Sequence, residues 1–271
     1  MGQAVGRDAT YLFESYHIRE DLVQKQLAKL PKVANPGIKL EAGPFPNDSK
    51  FYCAVKARVR TEVLKGGSQR GGMALYIATT VTFSALAYYY YIVVNNIPSA
   101  IFLGFIGAHI GMTLNHCANH GGLTKSGLIN YIMGFTNDLI GASSLVWSYH
   151  HHVSHHIYCN DIDKDQDTFT GLPFVRFDAR QPRHWYNKYQ HIYMGLLFPL
   201  LFITKHISDY KAIITHHTKA VDMMGATSRD FFLAHLAKIL HFGITLGLPM
   251  YLHGTSAVLF PSAFVFVFVF D

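Results

Sequence analysis

The chain has 271 residues and a mass of 30.5 kDa, room for one large domain or two small ones. Half of it is hydrophobic, 14% is aromatic and only 15% is charged, against roughly 25% in an average soluble protein. This composition excludes a disordered chain and argues against an ordinary water-soluble enzyme. Residues 71–124 contain no Asp, Glu, Lys or Arg, and neither do residues 239–270. About 20 apolar residues cross a bilayer, so the first run is long enough for two passes. The sequence reads as a membrane protein.

Residues 1–30 interleave charges with Tyr11, Leu12, Phe13, Ile18, Leu22 and Leu27 at an approximately helical spacing. Residues 1–40 hold no apolar core of signal-peptide length. Residues 31–48 are rich in Pro and Gly and are expected to form a linker. Lys50, Lys56, Arg58, Arg60, Lys65 and Arg70 crowd before the first apolar run. They fit a positive-inside flank better than a nucleic-acid surface, because they abut a span and do not alternate with stacking aromatics.

A first span is expected over 73–94, an uncharged turn over 95–98 and a second span over 100–114. Tyr88 to Tyr91 would form an interfacial aromatic belt. Residues 127–146 are apolar but carry Asn130, Asn137 and Asp138, which suits a helix lying in the membrane interface. Residues 189–204 are too short to cross and read as a half-inserted helix. A third span is expected over 231–251, with Lys238 near its end, and a fourth begins at 257. The alternating Phe and Val of 264–270 would suggest a strand in water, but an open strand in lipid leaves its backbone unpaired. An interrupted helix is the expectation there.

Seven of the 17 histidines lie between His116 and His156. His116 and His120 are spaced i, i+4, which stacks two imidazoles on one helix face. Then come His150, His151, His152, His155 and His156, five imidazoles in seven residues. Either His152 or His151 can join His155 and His156 on one side of a helical turn. So many titratable rings at such spacing point to a bound cation that holds them neutral. Cys53, Cys117 and Cys159 form no CxxC pair, so the donor set is nitrogen, which suits Fe, Cu, Zn or Ni.

His116-x3-His120-Gly-Gly, Trp147 and His155-His156-Ile-Tyr-Cys-Asn160 resemble the membrane fatty acid desaturases over roughly residues 50–270. The resemblance implies an all-α polytopic membrane protein with about four transmembrane helices, interfacial helices and a cytosolic histidine-box cap. It implies a non-haem di-iron centre ligated by His116, His120, His155, His156 and one of His151 or His152. The implied reaction is O2-dependent insertion of a double bond into an acyl chain, in the endoplasmic reticulum, with electrons from cytochrome b5. A hydroxylase on the same scaffold and a non-catalytic paralogue are the alternatives. A metal transporter would carry ionisable residues midway through several spans, where only His109 qualifies.

Gly6-Arg-Asp-Ala-Thr10 and Phe13-Glu-Ser-Tyr-His17 resemble the second half of a cytochrome b5 domain, as fused to front-end desaturases, with His17 matching an axial haem ligand. The segment bearing the other ligand is missing, so no haem is expected. Residues 1–30 are thus read as a cytochrome b5-like remnant and 49–271 as the desaturase domain. The family's third box, QxxHH or HxxHH after the fourth span, has no match, since Ile213 stands at the first position of the Ile213–His217 stretch. The expectation is a chain truncated at both ends, with His216 and His217 solvated. Asp161, Asp163, Asp165 and Asp167 lack the Gly and Glu of a calcium loop and are expected to form a solvated acidic turn.

Overall fold

The computed structural model describes residues 2–17, 20–32, 49–65, 67 and 73–255. Most of the expected linker, and the whole expected fourth span with its Phe/Val tail, lie outside the described residues.

The described chain is built of helices. A 3₁₀ turn at Gly2–Ala4 is followed by α1 (Thr10–Tyr16), α2 (Glu20–Leu27) and α3 (Lys50–Arg58). The apolar run folds as α4 (Ala74–Val93) and α5 (Ile97–His109), and α5 continues through a π-helical turn at Ile110–Leu114 into α6 (Asn115–Asn119). Short helices follow: α7 (Gly127–Gly134), α8 (Thr136–Leu139) and α9 (Ser144–Tyr149). A second π-helical turn at His150–His155 leads to α10 (His156–Tyr158), and α11 (Gln166–Phe169) lies beyond it. Two long helices complete the fold, α12 (Gln190–Thr215) and α13 (Ser228–Phe242), the latter running through a π turn at Gly243–Gly247 into α14 (Leu248–His253).

The hairpin between α4 and α5 is set by local chemistry. Asn95 takes a left-handed conformation (φ 48°), and the Asn96 side chain accepts from Ser99 N at 2.9 Å while Ser99 Oγ accepts from Asn96 N at 3.0 Å. This reciprocal cap, with Pro98 in the first turn, starts the helix at Ile97 and not at the expected residue 100.

Among the described residues, two continuous helices are long and apolar enough to cross a membrane, Ile97–Asn119 and Ser228–His253, each with mean hydropathy 1.6. Only 44% and 28% of their most apolar windows are buried, so much of this surface faces outward, as it does in lipid and does not in a soluble core. α4 has the expected length, 20 residues, but its threonines and its Tyr88–Tyr91 run dilute its hydropathy.

Several expectations need correcting. The tyrosine belt divides: Tyr89 and Tyr90 are exposed, whereas Tyr91 is fully buried and donates to Thr245 O at 2.8 Å, and Tyr88 donates to Leu139 O at 2.7 Å. A four-residue run on a helix points in four directions, so no run of that length can lie wholly in one belt. The interfacial segment 127–146 is three short helices, because Asn130 turns back to bind Thr124 and Ser143 starts a new cap at Val146 N. α12 runs 26 residues, well past the expected 204. Lys205 and Asp209 pair at i, i+4 (3.4 Å), and Asp209 turns inward, so these charges extend the helix and do not end it. α12 closes at His216 in a left-handed conformation (φ 57°).

The core joins these pieces around the second histidine box. Leu12 of α1, Val146 and Tyr149 of α9, Val153, Ile213 of α12 and Ala234 of α13 form one buried apolar cluster. A second, around Tyr91, Leu103, Ile106 and Ile140, zips the hairpin to the segment between the boxes.

Candidate metal centre

The second histidine box lies in a π-helical turn, a widened helix found mostly as single turns at functional sites, and the first box follows directly after another, Ile110–Leu114. In such a turn residues i and i+5 share a face. His151 and His156 are so spaced, and their Nε2 atoms lie 3.0 Å apart. His116, near the end of the apolar helix Ile97–Asn119, brings its Nε2 to 3.1 Å from the same His151 nitrogen. Three imidazoles thus converge on one point. Ligand nitrogens of His116, His120 and His151 all lie within 4.8 Å of one another, and so do those of His151 and His155 with an Asp167 oxygen.

His120 lies inside the cluster, its ring 4.6–5.2 Å from those of His116, His151, His152 and His156. Its Nε2, the Nε2 of His152 and the Nδ1 of His150 are buried without a hydrogen-bond partner among the described residues. Buried polar atoms are rarely left bare, and a nitrogen that ligates an ion is one reason for it. Burial first, then the neighbouring imidazoles, lowers the pKa of His151 to about 2, of His152 to about 3 and of His120 to about 4. All three are neutral at physiological pH, the state in which imidazole binds a metal. An imidazole-rich set of this kind suits Fe, Cu, Zn or Ni, so non-haem iron fits the residues present.

The acidic turn is solvated only in part: Asp163 and Asp167 are exposed, as expected, but Asp165 is not. The Asp165 side chain is only 1% exposed, and its carboxylate accepts from His155 Nδ1 at 3.1 Å, from Asn160 N at 2.8 Å and from Asp167 N at 3.0 Å. Asp167 accepts from His150 Nε2 at 2.6 Å. Alternate acids read as a surface pattern in sequence, but here the turn folds back onto the box and holds two of its rings. A carboxylate on Nδ1–H fixes the tautomer and leaves Nε2 for the ion. Asp165→Ala is therefore expected to weaken iron binding about 10–100-fold, measured as iron retained after gel filtration. Trp147 adds a wall, stacked on His151 at 4.2 Å and edge-on to His116 at 5.6 Å.

Residues 2–17 pack against this centre. Together with α9 and α13 they enclose a cavity of about 660 Å³, lined by Leu12, Phe13, Phe135, Leu145 and Leu233, with His120 and His152 at its wall. His17 also borders the cavity, its Nδ1 2.6 Å from Phe13 O. His216 and His217 stay apart: His216 stacks on Phe231 at 3.8 Å, and exposed His217 pairs with Asp222 at 2.6 Å. His109 packs edge-on against Tyr76 at 5.4 Å.

The profile of the family described as "Fatty acid desaturase" matches residues 94–270, well over half of the chain. The chain belongs to the fatty acid desaturase family. It is 42% identical over 261 residues to the acyl-lipid (7-3)-desaturase, chloroplastic, of Chlamydomonas reinhardtii, covering 94% of this chain and 51% of that protein. It is 32% identical to the acyl-lipid (8-3)-desaturase of Physcomitrium patens, covering 87% of this chain and 52% of that protein. To the acyl-lipid (8-3)-desaturase B of Dictyostelium discoideum it is 28% identical, over 87% of this chain and 52% of that protein. The chain therefore spans about half the length of the curated relatives it matches. No solved structure matches it.

Proposed function

We propose that this protein is an O2-dependent fatty acyl desaturase of the front-end type, acting on an acyl lipid with electrons from cytochrome b5. The observation that carries the reading is the convergence of His116, His151 and His156 nitrogens beside the bare Nε2 atoms of His120 and His152, next to a cavity of mixed apolar and polar lining. His116, His120, His151, His152, His155 and His156 would hold the two irons. Dioxygen activation and oxidation of the acyl C–H bonds are the chemistry that bound iron supplies there.

The residues of the chain bind, orient and exclude water. The neutral rings need no deprotonation to ligate, Asp165 fixes His155, and Trp147 covers the polar cluster. A cavity of about 660 Å³ is within the usual range for small-ligand sites and takes part of an acyl chain. The centre lies at the end of the membrane-crossing helix Ile97–Asn119, and positive-inside counting from the basic flank 50–70 puts it in the cytosol. The endoplasmic reticulum follows from the family resemblance. In this organisation residues 49–271 are the desaturase domain, residues 31–48 a linker, and residues 1–30 a cytochrome b5-like remnant.

The test uses the Chlamydomonas relative with its matched segment replaced by this chain, expressed in yeast supplied with acyl substrates. New unsaturated products that require oxygen and vanish with His151→Ala are the expected result. Hydroxylated products instead would make the protein a hydroxylase. An iron-loaded chimera with no product would overturn the enzymatic reading.

A further inference from the structure

We propose that Tyr16 and Gln3 are positioning residues of the metal centre, holding the Nδ1 atoms of His120 and His152 so that both Nε2 atoms face a shared ion. This rests on the metal-centre reading above.

The geometry is the same for both histidines. His120 Nδ1 lies 3.0 Å from the Tyr16 hydroxyl, and His152 Nδ1 lies 3.2 Å from Gln3 Oε1. Both atoms of the Gln3 amide lie within reach of His152 Nδ1, Nε2 at 3.0 Å and Oε1 at 3.2 Å, and Nε2 also reaches Ser148 O at 3.3 Å. With an ion on its Nε2, His152 carries its proton on Nδ1 and donates it to Gln3 Oε1, while Gln3 Nε2 stays on Ser148 O. The Tyr16 hydroxyl can accept in the same way from His120 Nδ1–H. On both rings the opposite nitrogen is buried and has no partner among the described residues. The Tyr16 ring is wedged against both imidazoles, 5.7 Å from His120 and 5.4 Å from His152, and those two rings are 4.7 Å apart.

The segment that carries Tyr16 and Gln3 is fastened at several independent points. Leu12 is buried in the core beside the second box. The Arg7 guanidinium donates to Asp222 O and lies 5.9 Å over the Tyr149 ring. Gly2 and Gly225 approach backbone to backbone: a Cβ on Gly2 would stand 2.7 Å from Gly225 O, and one on Gly225 would collide with the Gly2 backbone. Only glycine at both positions permits that fit. The stretch that resembles half of a haem domain is thus used here to set the tautomers of two ligands of another metal, a role second-shell groups play at metal-bound histidines generally.

The test titrates the purified full-length chain in detergent with Co(II) in the absence of oxygen, then strips it with EDTA. Tyr16→Phe keeps the ring and removes only the oxygen. Gln3→Leu removes the acceptor, whereas Gln3→Glu retains one. Tyr16→Phe and Gln3→Leu are each expected to release Co(II) at about 10–100-fold lower EDTA and to change its visible spectrum. Gln3→Glu should behave as wild type. A loss of packing alone would lower the melting temperature of the metal-free chain without this split between Glu and Leu. Unchanged EDTA midpoints and spectra in Tyr16→Phe and Gln3→Leu, with Co(II) lost from His151→Ala, would overturn this proposal alone. Full Co(II) binding by His151→Ala would overturn the metal centre and the proposal with it.

Discussion

His151→Ala is expected to strip the protein of iron more completely than any other single substitution. Its Nε2 is the point on which the others converge, 3.1 Å from His116 and 3.0 Å from His156. It also belongs to two of the three ligand groupings among the described residues, the one with His116 and His120 and the one with His155 and Asp167, but not to the one of His155, Cys159 and Asp165. Loss of a group that merely orients a ligand costs about 10–100-fold in affinity, and loss of a shared ligand should exceed that. Iron per chain, measured by elemental analysis of detergent-purified protein, should fall to background. The fold should survive, because what His151 stacks on, Trp147, is also braced by His116 and His120. His216→Ala and His217→Ala are the controls, since one ring lies on Phe231 and the other pairs with Asp222 away from the cluster. Iron retained in His151→Ala and lost in His216→Ala would place the site in the loop after α12 instead.

The two histidine boxes were legible in the sequence because their signal is density. No apolar helix face or solvated turn accounts for five imidazoles in seven residues, and the charge-free runs marked the helices on either side. The pairing of rings within the second box was not legible. Ordinary helix spacing offers His151 with His155, or His152 with His155 and His156. The π turn widens the helix and brings His151 to His156, five residues on. Nothing in the local sequence announces a π turn. Asp165 was misread for a related reason: alternate acids after a polar box look solvated, and only the fold returns the turn to His155. The contacts of Gln3 and Tyr16 span 149 and 104 residues of sequence, beyond any periodicity argument. Lys238 did leave a trace. A single lysine within an apolar helix demands a partner, and Asp209, the one acid in α12, was the one to consider.

That pair gives the largest expected effect on stability. Lys238 Nζ lies 3.1 Å from Asp209 Oδ2 and also donates to Gly141 O, with side-chain exposures of 1% and 0% for the two ionic partners. It therefore ties α13 to α12 and both to the segment between the boxes, at a glycine with φ 94°. Removing one member of a buried pair leaves the other charge without compensation and costs about 3–5 kcal/mol. Lys205, 3.4 Å from Asp209 Oδ1 and partly exposed, offsets some of this, so Lys238→Ala belongs at the lower end. About 3 kcal/mol corresponds to a fall of about 6–12 °C in the unfolding midpoint for a domain of this size. Thermal unfolding of the detergent-solubilised chain, followed by circular dichroism, measures it. Removing both charges, as Lys238→Met with Asp209→Leu, should recover most of the loss, because the desolvation cost of each ion disappears along with their attraction. An unchanged midpoint in Lys238→Ala would mean that water reaches the pair. A double variant less stable than the single would mean that the ion pair contributes more through its link to Gly141 than its two charges cost to bury.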